Sequence, residues 1–496
     1  MAYDLKQKVF RGVCWRLAER FGSQGMGFVV GVVLARLLGP DAYGTIALLT
    51  IFLTIANLFV DGGFGTALVQ KKDATELDFN SVFYLSVTVS LALYIGLFCA
   101  SPVIAQFYRR PILIPVLRVL AIIIIINAVN GVQNAVLARK MLFNLSFRIS
   151  LVGTFVNGVV GISLAYLGLG VWALVYSSLG SAFATTVLRW YLIGWRPGWK
   201  FSLAALRPLF NFSWKMLASG FLDTFFGQLY GLIIGRVYTP ADLAFYNKGR
   251  SLPQMAMDSI NGTLGSVSFP ALSQLQDDRA RLKEAMRQMI LVSTFFVMPA
   301  LALMAAGAEP FTLLVYGEQW RGSIVFVQIA CISFSFYPFH TINLQGIQAL
   351  GRSDIFLKLE VVKKLLCLVS ICIVYKFGVV TFALVGALVM TPLGVCINAW
   401  PNRRLMDYGL REQIRDVLPT MAIAAVVFCT CRLVLELFAA TTCCLQVGML
   451  FAQGVAAMAV IAVLAVVFRP RALLVLAGYF PSFSRLFGNY FDRRSR

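Results

Sequence analysis

Apolar segments of helix length follow one another along almost the whole chain, with only short polar breaks between them. The hydrocarbon core of a bilayer takes roughly 20 apolar residues to cross as a helix, so such a pattern leaves few folds open. Composition agrees: 59% of the 496 residues are hydrophobic, 13% are charged, and the mean hydropathy is +0.79. A soluble domain cannot hide that much apolar surface. The pattern predicts an all-α polytopic membrane protein with about fourteen transmembrane helices. They lie near 15–37, 42–64, 79–101, 112–135, 147–168, 170–192, 212–235, 251–273, 288–308, 323–347, 355–377, 379–400, 416–438 and 446–468.

The net charge of +21 comes from 43 Lys and Arg against 22 Asp and Glu. No soluble basic domain is present to bind nucleic acid with it, and the distribution instead follows the positive-inside rule for short loops. With the N-terminus inside, the inner segments hold Lys6, Lys8, Arg11 and Arg16, then Lys71 and Lys72, then Arg139, Lys140 and Arg148. They continue with Arg189, Arg196, Lys200, Arg207 and Lys215, with Arg279, Arg281, Lys283 and Arg287, and with Arg403, Arg404, Arg411 and Arg415. This topology puts about 30 basic residues inside and about 8 outside, with both termini cytoplasmic and an even number of spans. The cationic N-terminal arm runs directly into a span of full length, which is not the pattern of a cleaved signal peptide. The arm (Leu5, Val9 and Phe10 among its lysines) and the aromatic, basic tail after residue 468 both read as interfacial anchors.

Ten cysteines raise the question of disulfides or metal. No Cys-x-x-Cys occurs, and Cys99, Cys331, Cys367, Cys372, Cys396, Cys429 and Cys431 fall inside spans as small apolar residues. The adjacent Cys443 and Cys444 are poorly spaced for a bridge. No metal site and no cofactor are expected.

The chain also repeats itself. Arg36-Leu-Leu-Gly-Pro40-Asp-Ala-Tyr43 follows the first span, and Arg236-Val-Tyr-Thr-Pro240-Ala-Asp-Leu-Ala-Phe-Tyr246 follows the seventh. Asn57 and Ala67-Leu68-Val-Gln70 correspond to Asn261 and Ala271-Leu272-Ser-Gln274; Gly168 with Ala173-Leu174-Val175 corresponds to Gly378 with Ala383-Leu384-Val385. The offset of about 200 to 213 residues is longer than a solenoid repeat. Each copy holds six spans, so the copies are parallel, an arrangement typical of alternating-access transporters. The expected organisation is a six-helix lobe over 1–192, an inter-lobe linker over 193–211 and a second six-helix lobe over 212–400. Two additional helices (401–468) and a tail (469–496) follow. The linker contains Pro197, Gly198 and Pro208, and its Trp199 and Leu203–Leu206 suit one face to the headgroup region.

Ala35-Arg-Leu-Leu-Gly-Pro-Asp-Ala-Tyr-Gly44 and Ser268-Phe-Pro-Ala-Leu-Ser-Gln-Leu-Gln-Asp277 are the most distinctive strings, with Val315-Tyr-Gly-Glu-Gln-Trp320 in support. Through them, and through span count and lobe repeat, the chain resembles the polysaccharide transporter family of the multidrug/oligosaccharidyl-lipid/polysaccharide (MOP) superfamily. The resemblance implies a flippase of the bacterial inner membrane. Its substrate would be an undecaprenyl-diphosphate-linked oligosaccharide for exopolysaccharide or lipopolysaccharide synthesis. Its partners would be membrane lipids and the polymerase and co-polymerase of the same pathway.

Ionisable groups within a span cost about 2.5–3.5 kcal/mol on insertion scales and usually face a partner or a cavity. Arg20 lies in the first span, Arg118 in the fourth, and Lys363 and Lys364 in the middle of the eleventh. One reading is a cationic cavity between the lobes whose guanidinium and ammonium groups hold the diphosphate by charge-assisted hydrogen bonds. The other reading of the lysines is closure on Glu360, three and four residues earlier on the same face, although one glutamate does not neutralise two lysines. Arg118 either faces the cavity or snorkels to the outer surface. Asp61, Asp223 and Asp258 are the intramembrane acids; Asp223 either carries a coupling proton or makes an interhelical hydrogen bond. His340, the only histidine, reads as a proton relay or as a packed hydrogen-bonding residue. Asn57 and Asn261 either bind sugar hydroxyls or join helices.

Two other functions compete. A multidrug exporter of the same superfamily shares the fold, but a cationic cavity suits anions better than organic cations. An enzyme or scaffold of polysaccharide assembly is the other class. The outer loops reach only about 15 residues, and neither an Asp-x-Asp sequence nor a Gly-rich phosphate loop occurs. A transporter working by alternating access is therefore the expectation.

Overall fold

The computed structural model describes residues 22–437 and 443–468, and among them there are helices but no strand. The helices of the first half are α1 (Gly22–Leu37), α2 (Pro40–Asp61), α3 (Phe64–Gln70), α4 (Glu76–Tyr108), α5 (Leu113–Leu120), α6 (Ile122–Arg139), α7 (Phe143–Tyr166), α8 (Val171–Leu192) and α9 (Leu203–Val237). Those that follow are α10 (Pro240–Ser273), α11 (Arg279–Ala306), α12 (Ala308–Tyr316), α13 (Ile324–Ser335), α14 (Tyr337–Ala349) and α15 (Ser353–Val374). The last are α16 (Val379–Val385), α17 (Thr391–Ala399), α18 (Asn402–Leu405), α19 (Leu410–Leu437) and α20 (Cys443–Phe468). A π-helical turn, Gly386–Met390, joins α16 to α17. The chain is an all-α polytopic membrane protein.

Eleven helical stretches among the described residues are long and apolar enough to cross a membrane. The other three expected spans are helical as well. The described part of the first is the shorter apolar helix α1. The eighth, in α10, is diluted by Asp258, by Gln254 and Asn261 and by its serines. The eleventh, α15, carries Asp354, Lys358, Glu360, Lys363 and Lys364. Polar content rather than length separates these two helices from the rest.

By packing, the described residues form two compact units, divided between Ala244 and Phe245. In the first, α2 runs along α9 through small residues. A side chain at Gly220 would meet Leu58, and one at Gly235 would meet Leu48 and Tyr108. Small residues let backbones approach closely where no hydrophobic effect drives helices together. The tightest approach explains the first motif. A Cβ on Gly44 would lie 2.0 Å from the carbonyl oxygen of Pro240, so the two copies of the repeated motif touch each other. Gly62 and Gly63 then break the second span between α2 and α3 with φ of 49° and 74°, a left-handed conformation natural to glycine.

At the far end of this unit the loop before α4 is clamped. The Lys71 ammonium lies 2.8 Å from Asp78, Thr75 and Asp78 form a capping box, and Arg139 donates to the carbonyls of Leu68, Lys71 and Lys72. The segment 193–202 is docked beside it. Gly198 N donates to Asn80 Oδ1 and Ser202 N to Ser81 Oγ, while Ile193, Leu206 and Leu209 join a core with Phe64, Phe79, Phe83 and Val136.

In the second unit α19 packs on α11 and α20, through Leu291, Phe295, Ile423, Val427 and Ala457. Their polar end is a closed ion network: Arg287 to Asp416 at 2.6 Å and Lys283 to Glu412 at 2.9 Å, with Tyr408 donating to Asp416. Burial and the Asp416 carboxylate push the Tyr408 hydroxyl well above its ordinary pKa, which keeps it a donor. Beside it, buried Asn343, Asn402 and Gln413 exchange hydrogen bonds of 2.6–2.9 Å. The other two motifs are also packing elements. Ser268 and Leu272 are buried; Trp320 is buried against the Phe245 edge, with the Lys248 ammonium 4.3 Å from the Tyr316 ring centre.

Gly44→Ala should lower stability by about 1–3 kcal/mol through overpacking, read as a fall in the thermal midpoint of the purified protein. Gly39→Ala, where nothing lies within 4 Å of an added Cβ, is the control. Equal midpoints for the two variants would refute the contact.

Candidate functional site

Helix α15 sorts its residues by face. Leu357, Val361, Leu365, Val369 and Ile373, at four-residue intervals, form an exposed apolar stripe suited to lipid. Glu360, Lys363, Lys364 and Cys367 lie off that stripe and are half-buried. Lys363 Nζ stands 2.6 Å from Glu360 Oε1, and its side chain is only 13% exposed. Of the two available pairings with Glu360, this is the three-residue one.

The same side of α15 meets α14 and α17. Gly394 of α17 leaves room for the Lys363 stem: a Cβ there would be 3.8 Å from Lys363 Cδ. One turn on, the Asn398 amide nitrogen lies 2.6 Å from His340 Nδ1 on α14. Both lysine ammonium groups are within electrostatic reach of the His340 ring. Asn398 Oδ1 is buried and has no hydrogen-bond partner among the described residues. The π-turn preceding α17 is pinned as well: Thr391 Oγ1 donates to the Gly386 carbonyl and hydrogen-bonds Ser333 Oγ on α13. Such wide turns occur often at functional sites.

Three of the residues singled out from the sequence, His340, Lys363 and Lys364, therefore converge in one cluster. It offers ammonium donors for anionic oxygen, an amide acceptor for a hydroxyl, and an imidazole. At the start of α15, outside the apolar stretch, the Arg352 guanidinium holds the Asp354 carboxyl down to about 2.

The remaining candidates sit elsewhere. Arg20 lies outside the described residues. In the first unit, Arg118 Nε donates to Ser101 Oγ at 2.9 Å, and its guanidinium covers the Phe98 ring at 4.1 Å, so protein groups hold it. Asn57 accepts from Asn127 Nδ2 at 2.9 Å and donates to the Leu53 carbonyl, a helix-joining contact. Asp61 and Asp223 are exposed on α2 and α9, and Asp258 is exposed on α10. Asn261 is half-buried on α10, with Oδ1 unpartnered among the described residues. Sequence reasoning missed Asn398, Ser333, Thr391 and Asn127. An inventory of amides and hydroxyls within spans, alongside the charges, would have included them.

A family model described as polysaccharide biosynthesis protein matches residues 33–325. The chain belongs to that family. This bears out the resemblance to a polysaccharide transporter family. The chain is 27% identical over 316 residues to the succinoglycan biosynthesis transport protein ExoT of Rhizobium meliloti (strain 1021), a match covering 63% of each chain. It is 23% identical over 376 residues to the lipopolysaccharide biosynthesis protein WzxC of Escherichia coli (strain K12), covering 75% of this chain and 76% of that one. The match to ExoT thus spans less than two thirds of that relative's length. Among solved structures, the lipid II flippase MurJ in an inward closed conformation aligns at a TM-score of 0.68 and 13% identity, over 92% of this chain and 98% of its own. An inward-facing multidrug resistance MATE transporter of the MOP superfamily aligns at 0.61 and 16%, over 80% and 98%. These neighbours share the fold.

Replacing Asn398 by Leu would leave His340 Nδ1 without its amide partner. The expected cost is about 1–3 kcal/mol, measured as a lower thermal midpoint, and Asn398→Gln should recover part of it. A midpoint unchanged in Asn398→Leu would show that the contact contributes nothing.

Proposed function

We propose that this chain is a transporter of polysaccharide biosynthesis. It moves an oligosaccharide linked through a diphosphate to a polyprenyl lipid from the inner to the outer leaflet of a bacterial inner membrane, by alternating access. Family membership supports the pathway, and the similarity to ExoT, a succinoglycan biosynthesis transport protein, and WzxC, a lipopolysaccharide biosynthesis protein, supports polysaccharide export as the activity. The observation that carries the chemistry is the half-buried Lys363 and Lys364 pair on a membrane helix, held off its lipid-facing stripe on the side that meets α14 and α17. An anionic headgroup does not cross hydrocarbon unaided. Ammonium groups held off the lipid-facing stripe suit its phosphate oxygens, and Asn398 Oδ1 suits a sugar hydroxyl.

Asp223 and His340 are the groups through which a coupling ion would act. The basic segments would face the cytoplasm, together with both termini. A multidrug exporter of the same fold is the rival, and ammonium groups at the cluster suit anionic oxygens better than organic cations.

The test is Lys363→Ala with Lys364→Ala, assayed for polymer export in cells lacking the native protein and for retention of a polyprenyl-diphosphate oligosaccharide by native mass spectrometry. Export and retention should both be lost while membrane insertion stays normal. Full export by the double variant would remove the lysines from the mechanism. Retention of an organic cation instead of the lipid-linked sugar would favour the multidrug reading.

A further inference from the structure

The segment that precedes and opens α9 has two unlike sides. On one side Ile193, Leu206, Leu209 and Ser213 are buried in the first unit. The backbone between them is fastened by Asn80, by Ser81 and by Arg196, which donates to the carbonyls of Ile193, Trp195 and Trp190. On the other side, Leu203, Arg207, Phe210 and Trp214 follow one another at three- and four-residue spacing and are all exposed. Trp199 is 97% exposed and Leu203 73%, with Phe201, Lys200 and Lys215 exposed around them.

Large aromatics held outward on a fastened backbone are out of place in water, and their setting identifies what covers them. The apolar span of α9 begins at Ser213, so this stripe lies where the helix enters the membrane. Its charge is of one sign. Between Asp78 and Asp223 the chain has no acidic residue at all, while Arg189, Arg196, Lys200, Arg207 and Lys215 cluster near the stripe. Trp and Tyr favour the headgroup level, and a juxtamembrane Lys or Arg gains about 1 kcal/mol near an anionic leaflet.

We propose that residues 199–215 form a docking surface for anionic phospholipid headgroups. Trp199, Phe201, Leu203, Phe210 and Trp214 enter the interface, and Lys200, Arg207 and Lys215 engage the phosphates. Because hydrogen bonds from the backbone fix this segment to Asn80 and Ser81, the surface sets the depth and tilt of the first unit in the bilayer. This role is separate from transport chemistry at Lys363 and does not depend on it.

The experiment uses the full-length protein in nanodiscs of phosphatidylcholine, or of phosphatidylcholine with phosphatidylglycerol. Hydroxyl-radical footprinting reads the oxidation rate of Trp199 by mass spectrometry, and the thermal midpoint is recorded alongside. Trp199 should be severalfold better protected in the anionic discs, and the midpoint should rise there. Lys200→Gln with Arg207→Gln and Lys215→Gln should abolish both differences while matching the wild-type midpoint in phosphatidylcholine. Should that triple variant fold poorly, Arg207→Gln alone should reduce both differences, and added salt should weaken them in the wild type. Equal protection of wild-type Trp199 in the two lipids, or an undiminished difference in the variants, would overturn the proposal.

Discussion

An ammonium group on a membrane helix has to be held by protein, because hydrocarbon offers it neither hydrogen bonds nor counter-charge. Much of the local architecture of the second unit follows from Lys363 and Lys364 meeting that requirement. The exposed stripe of α15 gives lipid only aliphatic side chains, and the charged positions lie off it. Glu360 takes one ammonium; α14 and α17 close around the pair, with a glycine where the Lys363 stem passes. The price is a helix too polar to qualify as a span by hydropathy.

The same unit shows what a finished ion network looks like. Lys283 and Arg287 face Glu412 and Asp416, two cations against two anions, with Tyr408 supplying a further donor. The formal charges of these four side chains cancel. On α15, by contrast, Glu360 pairs with Lys363 within a single helix, and Lys364 stands next to it. The first network ties α11 to α19; the second lies along one face of α15.

Much of this was legible in the chain. Hydropathy and length located the helices, since every described stretch expected to span is helical, and the loop motifs led to the family. Lys363, Lys364 and His340 stood out because charge within an apolar run is rare. Their mutual proximity did not, because it depends on how α14, α15 and α17 pack. Asn398 was invisible for a related reason: an asparagine in a span is ordinary until a partner is opposite it. The meaning of Gly44 was equally hidden. Its string identifies the family, but only the crossing with Pro240 explains why a side chain is excluded there.

The π-turn between α16 and α17 has a consequence for the cluster it precedes. Thr391 reaches back to the Gly386 carbonyl with both its backbone N–H and its hydroxyl, so the turn holds one residue more than an α-helical turn. In an α-helix each residue advances about 100° around the axis. Absorbing the extra residue into regular helix would therefore turn α17 by about that angle relative to α16. Asn398 would swing away from His340, and Gly394 would no longer face Lys363. The azimuth of α17 is thus set at Gly386–Met390, several residues before the side chains whose meeting depends on it.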